Sequence, residues 1–230
     1  MRPLIAIAGV LVFAVFAAMA SITPGGPVAR SAGPTPSPRV LEWPAAQPTE
    51  QAIRGHVRLL SGFTLPIAAI DLPTDQSYLP NSPRGYRAGY HEGIDFVAKA
   101  GTPVLAAKAG TIARIDTGSM DWTTAEEQAA FDAAAALGYT PDSTLDRIRG
   151  RQVWIDHGEG IVTRYAHLSE VAPLRLGDIV TQGLVIGAVG SSGYPEGGPH
   201  LHFEIREGED FYGDGLPLPQ LRHAISAAFR

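Results

Sequence analysis

The chain of 230 residues contains no cysteine. Disulfides and thiolate metal sites are therefore excluded, and any bound metal has to be held by His, Asp or Glu. A basic excess is also missing, since 18 Lys and Arg face 23 Asp and Glu for a formal net charge of -5. A nucleic-acid partner would need a positive face, so none is expected. No internal repeat is evident. Between Gly177 and Gly190 no lysine stands at a hairpin tip, which removes a lipoyl-like carrier domain. Long helix is excluded from Pro66 to Arg87 by four prolines, Pro66, Pro73, Pro80 and Pro83, so an irregular loop is expected there, ending in Tyr86–Tyr90. Glycine and proline are plentiful, at 26 and 19, and with short apolar runs they favour many turns and hence β structure. A hydrophobic content of 45% suits one globular domain with non-globular flanks.

The N-terminus begins with an almost unbroken apolar run from Leu4 to Ala20, ending in the small-x-small pattern Ala18-Met19-Ala20. Residues 1–20 are read as a cleaved secretory signal, with an uncleaved N-terminal membrane anchor as the alternative. The run is slightly short of the ~20 apolar residues of a membrane span. Either reading exports the remainder, to a secreted or extracytoplasmic cell-surface location. Residues 21–50, rich in Pro, Gly, Ser and Thr, are expected to form an extended tether. The folded region is placed at 51–230, with Val57–Leu60 as a first strand candidate.

The fold expected is mainly β, an antiparallel sheet or sandwich with an open groove. Strand candidates are Val104–Ala107, Thr111–Ile115, a hairpin of Gln152–His157 with Ile161–Leu168, and short strands at Gly177–Val180 and Val185–Gly190. In the hairpin, Ile161, Thr163, Tyr165 and His167 are expected to share a face. A helical insertion at about 119–150 interrupts the β rhythm. Thr124 to Glu127 reads as its capping box, Gly138 as the end of a first helix, and Pro141 to Gly150 as a second. Surface decoration is the favoured reading of this insertion, and a lid or groove wall the other. A short C-terminal helix carries an apolar stripe of Leu221, Ala224, Ile225, Ala228 and Phe229.

Two stretches carry chemistry. In His200-Leu201-His202-Phe203-Glu204-Ile205 a strand's period of two sends the histidines to one face and Leu201, Phe203 and Ile205 to the other. In His91-Glu92-Gly93-Ile94-Asp95-Phe96 the same period puts His91, Gly93 and Asp95 together, with Gly93 leaving room for a close approach. His91, Asp95 and His202 would supply two imidazoles and a carboxylate to a metal if the last strand lay beside the first. An open position would then hold a water acidified to a pKa of about 7. His167 and His200 would orient that water, take its proton or stabilise an oxyanion. His157 is expected to be structural, His56 and His223 to lie on the surface, and Glu92 and Glu204 to be solvated. Asp156, Arg164 and Tyr165 are candidates to support metal-bound imidazoles from outside.

Together, His91 with Asp95, Tyr165-Ala166-His167-Leu168-Ser169 and Gly198-Pro199-His200-Leu201-His202-Phe203-Glu204 resemble the lysostaphin-type zinc endopeptidases. The likeness runs from about Tyr86 to Arg206 and includes the Val153–Gly160 segment and the turn Gly177–Gly183, with the insertion as a departure. It implies Zn²⁺ held by His91, Asp95 and His202, and catalytic histidines at His167 and His200. It implies peptide cross-links or stems of peptidoglycan as substrate. A catalytically inactive wall-binding or hydrolase-activating relative is the alternative, expected to have lost one of these five residues.

Overall fold

The computed structural model describes residues 58–118 and 121–230. The leader at 1–20, the tether at 21–50 and the first residues of the folded region, His56 and Val57 among them, lie outside the described residues. No helix among the described residues is long and apolar enough to cross a membrane.

Among the described residues ten strands form two antiparallel sheets. They are β1 (Ile94–Val97), β2 (Pro103–Leu105), β3 (Gly110–Asp116), β4 (Gln152–Asp156), β5 (Ile161–Ala166), β6 (Leu168–Val171), β7 (Ile179–Val180), β8 (Val185–Val189), β9 (His200–Glu207) and β10 (Asp210–Phe211). The larger sheet runs β1-β9-β5-β4-β3-β7 with β10 on β9, and the smaller runs β2-β8-β6. The mainly β, antiparallel expectation therefore holds.

The alternation in β9 explains its central place. Leu201, Phe203 and Ile205 point into the core, where the Phe203 ring meets Phe96 and Tyr165 edge-on at 6.3 and 5.2 Å. Burying such side chains contributes roughly 1.5–3 kcal/mol each, which locks the strand's register, because a slip of one residue would turn the histidines inward. The register pairs Asp95 of β1 and Ala166 of β5 with His202. The last strand thus lies beside the first. Gly93 makes this possible: a Cβ there would come within 2.5 Å of the Phe203 carbonyl oxygen and 3.0 Å of the His202 ring.

Several local expectations are corrected. Arg58–Leu60 is irregular, not a strand, and the backbone just after it pairs with the C-terminus of the chain, Gly62 N–H donating to Arg230 O and Phe63 N–H to Ala228 O. The strand expected over Ile161–Leu168 stops at Ala166, because His167 adopts a left-handed backbone (φ 60°) where the chain leaves one sheet for the other. The helical insertion forms α1 (Thr124–Leu137) and α2 (Asp142–Arg149). Its capping box lies one residue earlier than expected: Thr123 Oγ1 accepts from Glu126 N–H while the Glu126 carboxylate accepts from Thr123 N–H. Gly138 ends α1 in the left-handed region, and Gly150 ends α2. The last helix, α3 (Leu218–Ala228), buries Leu221, Ala224, Ile225 and Ala228 as its stripe requires.

Candidate metal centre and groove

Three donor atoms converge at the β1–β9 junction. His91 Nε2 lies 2.9 Å from Asp95 Oδ1 and 3.0 Å from His202 Nδ1, and His202 Nδ1 lies 2.9 Å from Asp95 Oδ1. All three side chains are largely buried. Two imidazole nitrogens and a carboxylate oxygen at this spacing could hold a metal ion.

The outer atoms of each group are occupied, as metal-ligating imidazoles require. His91 Nδ1–H donates to Leu79 O at 3.0 Å, which leaves Nε2 as the basic nitrogen. His202 Nε2–H donates to Glu204 Oε1 at 3.1 Å, which leaves Nδ1. Arg84 donates to the second oxygen of Asp95 at 3.0 Å and is itself steadied by Ser77 O and Ser82 Oγ. The proline-rich loop therefore supplies two supports, Leu79 O and Arg84. A second grouping, Glu92 with His202 and Glu204, is less suited to a cation. Arg149, Arg164 and Arg206 surround Glu204, and Arg87 and Arg149 face Glu92.

Electrostatics separate the groups. Burial opposes charge on His91 and outweighs the Asp95 carboxylate, lowering its pKa to about 4. Burial also opposes charge on His202, but hydrogen bonds to Asp95 and Glu204 prevail and raise it to about 9. Asp95 stays ionised despite burial, since His91 and His202 hold its pKa well below the usual carboxylate range. Without a metal, one proton shared at this junction sits on His202.

His167 and His200 stand beside this centre. Their rings are 4.6 Å apart, and His200 Nε2 is 3.9 Å from Asp95 Oδ1. Ser192 O accepts from His167 Nδ1–H at 3.0 Å and Gly198 O from His200 Nδ1–H at 2.8 Å, so each keeps Nε2 as its basic nitrogen. Burial, with the neighbouring histidines, keeps His167 neutral. The left-handed backbone at His167 is what brings its ring here. By simple alternation it would have followed Tyr165, which faces the core and bonds Thr163 and the backbone N–H of Ala107. The expected sharing of a face by His167 and Tyr165 is thus overturned.

A groove of about 430 Å³ exposes these five residues. One wall is aromatic: Tyr86 stacks on Tyr194 at 5.0 Å, and Phe131 of α1 backs Tyr86 at 5.4 Å. α2 lends Leu145, Ile148 and Arg149 to the lining, so the insertion is a groove wall and not decoration. Trp122 fastens it by donating from Nε1 to Gly193 O at 2.9 Å.

Other expectations divide. His157 is structural, with Nδ1–H donating to Ala109 O and Nε2 accepting from Thr163 Oγ1. His223 is exposed. Tyr165 and Asp156 do not reach the centre, Asp156 instead accepting from Gly158 N–H. Arg164 reaches it only through Glu204. Glu204 is not solvated: it is wholly buried, because three arginines and His202 satisfy it. Glu92 is only slightly exposed, against Arg87. The support given by Glu204 and Arg149 was missed, although the period of two already placed Glu204 on the histidine face. Arg84 and Leu79 carry no sequence signal.

An antiparallel β fold whose groove holds a His–Asp–His donor set and two further imidazoles describes a metallohydrolase-like centre. The model of peptidase family M23 matches residues 89–213, which include all five residues, and the chain belongs to that family. It is 36% identical over 159 residues to the DD-carboxypeptidase/endopeptidase Mpg of Neisseria meningitidis, covering 65% of this chain and 30% of that protein. It is 31% identical over 123 residues to lysostaphin of Staphylococcus staphylolyticus, covering 53% of this chain and 20% of that protein. The chain thus spans well under half the length of these curated relatives. Among solved structures, the catalytic domain of lysostaphin from Staphylococcus simulans is 27% identical, with a TM-score of 0.43, covering 66% of this chain and 92% of that one.

Proposed function

We propose that this chain is a zinc-dependent endopeptidase that cuts peptide stems or cross-links of bacterial peptidoglycan outside the cytoplasm. The observation that carries the reading is the convergence of His91 Nε2, Asp95 Oδ1 and His202 Nδ1 within 3.0 Å, with both imidazoles tied down on their outer sides. The donor chemistry, nitrogen and carboxylate oxygen with no thiolate, fits zinc in a hydrolytic centre. Zinc bound there supplies a Lewis acid that polarises the scissile carbonyl and acidifies a water.

The chain's own groups supply the rest. His167, kept neutral by burial, accepts a proton from the attacking water at Nε2 and passes it to the leaving amide nitrogen. His200, with Nδ1–H fixed on Gly198 O, presents Nε2 to the same point and shares that proton traffic. Membership in the family, with relatives named as endopeptidases and one of them as a peptidoglycan endopeptidase, supports peptide bonds of the cell wall as the target. The apolar run from Leu4 to Ala20 supports export. Retention of all five residues favours an enzyme over an inactive wall-binding relative.

Purified protein is expected to carry about one zinc per chain and to clear a suspension of cell walls, releasing new amino groups while sugar chains stay intact. Wall lysis that survives both chelation and His200→Ala would sink the mechanism. Mass spectrometry of the released fragments identifies the bond.

A further inference from the structure

The helical insertion ends in Arg149, and that residue touches the centre twice. Its Nε donates to Glu204 Oε1 at 2.7 Å, the same oxygen that accepts from His202 Nε2–H at 3.1 Å. Its backbone carbonyl accepts from the His167 N–H at 2.8 Å. The segment after it is fixed: a Cβ on Gly150 would lie 2.3 Å from Ser192 O, the carbonyl that holds the His167 ring. Asp146 and Glu92 stand 3.6 and 3.7 Å from the guanidinium, whose side chain is only 6% exposed.

A buried ion pair alone would be a bland explanation, but the division of labour at Glu204 argues otherwise. Arg164 and Arg206 both address Oε2, each at 3.3 Å, and so compensate the carboxylate's charge without Arg149. Among the described residues Arg149 is the arginine bonded to Oε1, the oxygen that faces His202. Removing it leaves that oxygen anchored only by the imidazole it is meant to orient, and two arginines on the other side draw the carboxylate round.

We propose that Arg149 is a positioning residue through which the helical insertion fixes His202. Its guanidinium holds Glu204 so that His202 keeps its proton on Nε2 and offers Nδ1 to the metal. The insertion is then part of the metal site and not only a wall of the groove. This rests on the reading of His202 as a metal ligand. An outer partner of this kind is typically worth about 10–100-fold in metal affinity.

The test uses the purified full chain and zinc alone, titrated against a chromophoric chelator, with nitrogen NMR of the zinc-loaded chain reporting the His202 tautomer. Arg149→Met is expected to weaken zinc binding by about 10–100-fold and to mix the two nitrogens through which His202 holds the zinc. Arg149→Lys keeps a buried charge but lacks the planar fork, and is expected to fall a few-fold short of wild type. Arg147→Ala, which loosens α2 over Trp122 without touching Glu204, is expected to bind zinc as wild type does. A wild-type dissociation constant and tautomer in Arg149→Met overturn the proposal. Should that variant not fold, the same result in Arg149→Lys overturns it. A wild-type chain that takes up no zinc overturns the metal reading itself, which separates the two failures.

Discussion

Strand β9 divides two regions that are both buried and chemically opposite. On its core face Leu201, Phe203 and Ile205 are buried by apolar neighbours. On its groove face His200, His202 and Glu204 are buried by partners matched atom to atom. Apolar burial is non-directional and scales with area, so the core face needs volume more than identity. The groove face needs specific donors and acceptors, since one missing partner leaves a buried polar group unsatisfied. The same strand can therefore tolerate substitution on one side and not on the other.

The largest effect should come from the groove face. Asp95→Ala or His202→Ala is expected to abolish zinc binding and wall lysis together, read by metal analysis and turbidity. Phe203→Ala, one residue from His202, should cost about 3–5 kcal/mol of stability while zinc stays near one per chain below the new melting point. A thermal shift of that size with zinc lost from still-folded protein would break the comparison. His167→Ala sharpens it within the groove: kcat should fall about 10²–10⁴-fold with zinc retained, if the residue moves protons without binding the metal, as proposed.

The smallest effect concerns His157, the structural counterpart of His167. Burial lowers its pKa in the folded chain, so below about pH 6.5 the unfolded chain takes the proton first. Its contribution to stability is then complete above that pH and declines as pH falls. His157→Gln should reduce the acid-side drop in melting temperature between about pH 6.5 and the lowered folded-state pKa, leaving kcat unchanged. His91 and His167, also lowered by burial, have the same sign, so the drop shrinks without vanishing.

Much of the site was legible because strand periodicity is local. His200 and His202 share a face, His91 and Asp95 share another, and Gly93 between them marks the close approach that the β1–β9 pairing uses. His167 broke the rule: a left-handed residue reverses a side chain's face, and nothing in Tyr165-Ala166-His167-Leu168 announces φ 60°. Glu204 was misjudged for a different reason. Its alternation was correct, but an acidic residue reads as solvated until its partners are known, and those are Arg149, Arg164 and Arg206 from separate segments.

The sequence by itself determined the donor types, the faces on which most of them lie and the β rhythm that carries them. These follow from the absence of cysteine and from a two-residue period. Only the tertiary structure decided which nitrogen of each imidazole faces inward, that Arg84 and Leu79 steady the centre, and that the insertion reaches His202 through Arg149. The physical reason is range. Periodicity acts between neighbours in the chain, whereas tautomers and buried charges are set by hydrogen bonds closed across the fold.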